Sequence, residues 1–397
     1  MPEIKNPFFE TTALSTKAVH ADRHLDVHPE VSPAINTSVT YAYSRKDMKA
    51  PNYGTDQVYE YARYGTPTLA RVESVLSTIC GGYAVAYSSG LSALGALLNH
   101  YKPRRILMNR GYFGSFNVVQ AYLQHHVGSA TVLGLDAEFK EGDFVYIETP
   151  INPHGEVFDI RYYANRAHAV NALLVVDSTL APPPLCNPFI QGADVVLHSA
   201  TKYLGGHADI LAGVVVSKCP DLAKALNKER SVSGAVPGNL ETWLLLRSLR
   251  TLELRVMQQS KTAKMLVAWF HNMAISPIAS EEENKIPFGT IVQVRHASIQ
   301  KVHPAFDVCA QHPNGFGALF TVTLKSREQA LAVAKNLRLT TFATSLGDVN
   351  SLVDWRHGED PTTDPRQLRV SVGLENIEDL KNDWRRAIQA SCVSSKL

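Results

Sequence analysis

Between residues 84 and 216 the chain carries six short apolar runs, at 84–87, 106–108, 144–147, 173–176, 195–197 and 214–216. Longer segments separate them, and two of these, 91–100 and 162–172, have helical spacing. A strand covered on both faces reads as an unbroken apolar run, whereas a strand with one wet face alternates. Runs of this kind, spaced for crossover helices, predict an α/β fold: a mostly parallel sheet wrapped by helices.

The Gly/Pro-rich SGAVPGN at 233–239 interrupts that pattern. The next stretch, ETWLLLRSLRTLELRVMQQSKTAKMLVAWF, has the apolar spacing of one long helix leading out of the sheet domain. A smaller α/β domain is expected to fill the remainder, with strand-like runs at 320–324 and 368–372. The expected organisation is an N-terminal arm over 1–60, a large domain over 61–255 and a small C-terminal domain over 256–397.

Composition removes several functions. With 45% hydrophobic and 19% charged residues and a net charge of +2, no basic field points to nucleic acid. No stretch approaches the roughly 20 apolar residues of a membrane span, and the N-terminal sequence has no apolar signal core. Cys80, Cys186, Cys219, Cys309 and Cys392 form neither a CxxC pair nor a zinc spacing, the usage expected of a reduced intracellular protein. His168, His198 and His207 make no metal-binding pattern, and there is neither GxGxxG after the first strand nor GxxxxGK[ST]. Ser395-Lys396-Leu397 is the SKL tripeptide read by the peroxisomal import receptor, so a peroxisomal address is expected.

Ligands of parallel sheets collect beyond the carboxyl ends of the strands. There the first run is followed by Ser88-Ser89-Gly90 and a helix, whose free N–H groups can hold an anion. Tyr112 follows the second run, Glu148-Thr149-Pro150-Ile151-Asn152-Pro153 the third, and Asp177-Ser178-Thr179 the fourth. After the fifth comes His198-Ser199-Ala200-Thr201-Lys202-Tyr203-Leu204-Gly205-Gly206. A lysine made nucleophilic by desolvation or by its neighbours forms a Schiff base with an aldehyde. Pyridoxal 5′-phosphate (PLP) supplies an aldehyde, a phosphate and a ring nitrogen that calls for a carboxylate, and these strand ends meet all three needs.

The segment SATKYLGGHADILAG resembles the lysine motif of the Cys/Met-metabolism PLP enzymes, the cystathionine γ-synthase and γ-lyase family. The likeness runs from about residue 16 to residue 380 and takes in YARYGTPT, SSGLSA, ETPINP, VVDST and LRVSVGLEN in family order. It implies the PLP-dependent transferase fold type I, with a mostly parallel, seven-stranded-type sheet and an active site shared between subunits. Lys202 is then the Schiff-base lysine, Asp177 the partner of the ring nitrogen and Tyr112 the stacking and catalytic tyrosine. The phosphate falls to the N–H groups of Gly90 and Leu91 and to Ser199 and Thr201, with Tyr61 and Arg63 reaching in from the neighbouring subunit. Arg369, helped by Asn152 and Ser345, would clamp the substrate α-carboxylate. The resemblance also implies a homodimer at least, usually a homotetramer.

Family members that handle cystathionine often carry Glu just before a Ser-Leu-Gly-Gly segment. Here the positions read Thr344-Ser345-Leu346-Gly347-Asp348. With HADRH, APPPL and NGFG, this resembles a divergent fungal γ-synthase-like branch. The expectation is γ-replacement on an O-acylhomoserine through a vinylglycine-like intermediate, with a thiol or a carbon nucleophile such as a β-keto acid. A cystathionine or methionine β- or γ-lyase is the alternative, and a catalytically silent PLP-binding protein is a third reading.

Overall fold

The computed structural model describes residues 9, 11–25, 31–43, 59–125, 128 and 130–394; Ser395-Lys396-Leu397 lies outside them. Seven strands build the larger sheet: β1 (Tyr83–Tyr87), β2 (Arg105–Met108), β3 (Thr131–Leu133), β4 (Phe144–Glu148), β5 (Leu173–Asp177), β6 (Val195–Ser199) and β7 (Gly213–Ser217). Their order is β1-β7-β6-β5-β4-β2-β3. Only β7 runs against its neighbours, so β1 to β6 all deliver their carboxyl ends to one edge.

Both faces are covered, which explains the unbroken apolar runs. Val145, Ile147, Leu174, Val176, Val214 and Val216 enter one core cluster, and their neighbours Phe144, Tyr146, Val175 and Val215 enter another. The helix Gly90–Tyr101 covers the second face; Ser89 caps it through a reciprocal Ser89–Ser92 capping box. The expected helix at 162–172 is Ile160–His168 and stops early. Asn171 adopts a left-handed φ of 55° and turns the chain into β5.

The expected single helix from 241 is two, Asn239–Leu249 and Leu252–Ile275. Thr251 leaves helical geometry between them, with φ −114° and ψ 12°. Leu249 and Leu252 are buried on either side of the break, and Arg250 turns back to donate to the Ala18 carbonyl and to Asp22. The residue-255 boundary thus falls in the first turns of the second helix. Within the expected arm, Leu14–His20 is a helix packed on Pro67–Cys80 and on Leu252–Ile275.

The second sheet contains β8 (Ile291–Arg295), β9 (Leu319–Leu324), β10 (Thr341–Phe342), β11 (Leu352–Asp354) and β12 (Gln367–Ser371), ordered β10-β11-β12-β9-β8. The helices Arg327–Asn336 and Ile377–Ser394 pack on each other beside it. Trp384 from the second of these stands edge-on to Phe270 at 5.1 Å. Phe270, Phe320, Val370 and the β4–β7 residues share one core, so the two sheets are joined by a continuous apolar seam.

Candidate active site

The loop after β6 is pinned from all sides before it presents its lysine. The Gly205 N–H donates to Ala200 O at 2.8 Å and the Gly206 N–H to Lys202 O at 2.7 Å. Buried Arg255 donates to Tyr203 O at 2.9 Å, and the Tyr203 hydroxyl accepts from Ala318 N at 3.0 Å. From this frame Lys202 Nζ donates to Ser345 Oγ at 2.8 Å, across to the small-sheet side. Burial, followed by the Arg369 charge, pulls the Lys202 amine down from 10.5 to about 8. A larger share of it is therefore neutral and nucleophilic at physiological pH than for an ordinary lysine.

Ser345 is a non-glycine residue held at φ 83°. That geometry presents its hydroxyl to Lys202 and its carbonyl to Arg369 Nη2, at 3.0 Å. Arg369 Nη1 donates to Asn152 Oδ1 at 3.1 Å, and Nη2 pairs with Asp354 at 2.9 Å. Burial pulls its guanidinium down to about 10, partly offset by Asp354. Lys202, Ser345, Arg369 and Asn152 are thus brought together from positions up to 217 residues apart.

Asp177 ends β5 and is 7% exposed. Thr179 donates to it from N at 3.0 Å and from Oγ1 at 2.6 Å, and the Tyr146 hydroxyl donates at 2.7 Å. Each of these donors is neutral. Burial pushes the Asp177 carboxyl up, and the three hydrogen bonds oppose that. A buried carboxylate without a countercharge is costly unless a cation arrives, which suits a protonated ring nitrogen.

At the same edge, Gly90 opens its helix against Ser199, the last residue of β6: a Cβ on Gly90 would lie 2.9 Å from Ser199 Cβ. The start of β7 closes the other side, where a Cβ on Gly213 would lie 2.7 Å from Gly90 N and would collide with the Ser89 carbonyl. The missing side chains let β6, β7 and the helix N-terminus pack this closely. The first N–H groups of that helix can hold an anion, and Leu91 is 37% exposed there. Thr201 exchanges hydrogen bonds with Ala212 in the adjoining turn. A lysine amine, a carboxylate with no cationic partner among the described residues and a helix N-terminus, all along one sheet edge, fit PLP.

Tyr112 is 37% exposed, and its N–H donates to Glu148 Oε2 at 2.6 Å. Tyr61 and Arg63 do not join this group within the chain. Arg63 donates to Ser231 O at 2.7 Å and to the Tyr64 hydroxyl at 3.1 Å, and lies over the Tyr61 and Tyr64 rings. His198 is buried and held down to about 4, so it is neutral. His168 pairs with Asp194, and His207 lies 2.8 Å from Gly205 O. Sequence reasoning gave no role to Tyr146, Thr179, Glu148 or Asp354, although each contacts a residue it did single out. For Tyr146 and Glu148 the available signal was a polar or acidic residue inside or directly after the apolar run at 144–147.

The sequence pattern of the Cys/Met metabolism PLP-dependent enzymes matches residues 15–389. The chain is 32% identical to a cystathionine beta-lyase of Lactococcus lactis subsp. cremoris, over 95% of this chain and 99% of that protein. It is 31% identical to a cystathionine gamma-lyase of Saccharomyces cerevisiae, over 96% and 98%. The crystal structure of a cystathionine gamma synthase from Xanthomonas oryzae pv. oryzae superposes with a TM-score of 0.81 at 28% identity, covering 96% of this chain and 99% of that one. On the strength of fold, sheet-edge chemistry and these likenesses, the chain belongs to the Cys/Met metabolism PLP-dependent enzyme family.

Proposed function

We propose that this PLP-dependent enzyme catalyses γ-replacement on an O-acylhomoserine-type amino acid, joining the four-carbon unit to a thiol or to a carbon nucleophile such as a β-keto acid. Bound PLP supplies an electron sink for the pair left at the substrate Cα. Lys202 would hold it covalently, and its amine, once freed, is placed to take the Cα proton and then a Cβ proton, so that the acyloxy group can leave Cγ as a carboxylate. The nucleophile then bonds to Cγ, and the protons return to Cβ and Cα. The hydrogen bond to Ser345 holds that amine in place. Arg369, set by Asp354 and Asn152, binds the α-carboxylate with its planar fork. Asp177 would keep the ring nitrogen protonated, Tyr112 would cover the ring, and Gly90, Leu91, Ser199 and Thr201 would receive the phosphate. Tyr61 and Arg63 complete that phosphate site in a second copy of the chain, in a homodimer or homotetramer.

The reading rests on Thr344. This exposed, uncharged residue precedes Ser345, where cystathionine-handling relatives often place a carboxylate that can meet a distal ammonium. A nucleophile or substrate tail without an amino group fits better. The test is incubation with O-acetylhomoserine alone, then with thiols, β-keto acids, aldehydes and amines, followed by mass spectrometry. A new amino acid formed only with added nucleophile supports replacement. Oxobutanoate and ammonia formed regardless of nucleophile support the second reading, a β- or γ-lyase, which the names of the Lactococcus and Saccharomyces relatives favour. A role in secondary metabolism and peroxisomal import through Ser395-Lys396-Leu397 belong to the same proposal. A fluorescent fusion that fails to change location when Leu397 is deleted would remove the import signal from it.

A further inference from the structure

Glu148 ends β4 in register with Asp177 at the end of β5. It is 4% exposed. One carboxylate oxygen accepts from Tyr112 N at 2.6 Å and the other from Asn152 N at 2.7 Å. Its own backbone is locked by Asn109, whose side chain accepts from Glu148 N and donates to Glu148 O, both at 3.0 Å. A Cβ on Gly111 would collide with the Glu148 carboxylate, so glycine is what lets the Tyr112 loop close onto it.

Asn152 in turn holds Arg369. A single carboxylate therefore fastens two loops that leave different strands, one carrying the ring tyrosine and one carrying the partner of the carboxylate-binding arginine. Both oxygens accept a short N–H bond, an arrangement that favours the ionised carboxyl because it offers two full acceptors. Burial and the neighbouring Asp177 charge work against ionisation. A cation beside Asp177 relieves that repulsion.

We infer that Glu148 is a positioning residue that couples the cofactor-facing carboxylate Asp177 to the substrate-binding side, by holding Tyr112 and Asn152 through their backbone N–H groups. The inference rests on membership of the PLP family and holds for replacement and elimination alike, so it is tested without turnover. In the protein without PLP, amide hydrogen exchange is expected to show Tyr112 and Asn152 protected, and PLP is expected to slow both further. Glu148→Gln, which offers an N–H₂ to one of the two donors, is expected to speed exchange at one or both amides about tenfold or more, with β5 to β7 amides unchanged. It is also expected to weaken glycine binding to the PLP-loaded enzyme about tenfold, read from visible absorbance. Glu148→Asp, which keeps the charge but is too short to reach both amides, is expected to restore protection at one of them.

Wild-type Tyr112 and Asn152 amides exchanging as fast as free loop amides would overturn the inference, whether or not the variants fold. Unchanged exchange and unchanged glycine binding in a folded Glu148→Gln would overturn it equally.

Discussion

Gly213→Ala tests whether the helix starting at Gly90 is the phosphate cradle. The new Cβ would sit 2.7 Å from Gly90 N and closer still to the Ser89 carbonyl, both backbone atoms that cannot rotate away. Restoring ordinary contact separates the start of β7 from the helix N-terminus by on the order of 1 Å. Overpacking of this kind costs about 1–3 kcal/mol of stability. A displacement that size removes at least one N–H bond to a bound anion. A hydrogen bond to a charged group is worth about 1.5–3 kcal/mol, so PLP affinity is expected to fall roughly 10- to 150-fold.

The assay is equilibrium titration of the PLP-free protein with PLP, followed by tryptophan fluorescence, with circular dichroism to establish folding. Gly95→Ala serves as the control in the same helix. A Cβ there meets nothing within 4 Å, and the helix gains about 0.5–1 kcal/mol from losing a glycine. It should raise the melting temperature and leave PLP affinity alone. A folded Gly213→Ala that binds PLP within twofold of wild type would refute the cradle.

Three further outcomes follow from named contacts. Because Lys202 titrates near 8 when folded and near 10.5 when free, the unfolded chain alone holds its proton between those values. Stability of the PLP-free protein should therefore rise with pH across that window by about 3 kcal/mol, the penalty being fully present below pH 8; Lys202→Met should flatten the profile in urea unfolding. Arg369→Lys cannot reach Asn152, the Ser345 carbonyl and Asp354 at once, so KM for the amino-acid substrate should rise about 10- to 100-fold in steady-state kinetics. Ser89→Ala breaks the capping box and should cost about 1 kcal/mol in denaturant unfolding, with weaker PLP binding alongside.

The large sheet was legible because its strands are buried on both faces and so stand out as apolar runs. Position in the chain then told which residues sit at their carboxyl ends. What the sequence hid was mostly short or distant. β3 is three residues long with half-exposed side chains, and β10 has two exposed residues, so neither leaves an apolar signature. The break at Thr251 is invisible to a count of apolar spacing, since Leu249 and Leu252 satisfy a helical stripe whether or not the chain turns between them. Tyr146 lies within an apolar run, and only the fold turns its hydroxyl onto Asp177. The Lys202–Ser345 bond spans 143 residues, a pairing that local pattern cannot reveal.

Two of the bonds that build the site run between the sheets: Lys202 to Ser345, and Asn152 to Arg369. The distance between amine and guanidinium is consequently set by how one lobe is seated against the other, not by any single loop. Misplacement of about 1 Å between reacting groups can cost on the order of a hundredfold in rate. Substitutions under the seam, such as those around Phe270 and Phe320, should then behave as catalytic lesions although they touch no ligand, making the interior of this protein part of its ruler.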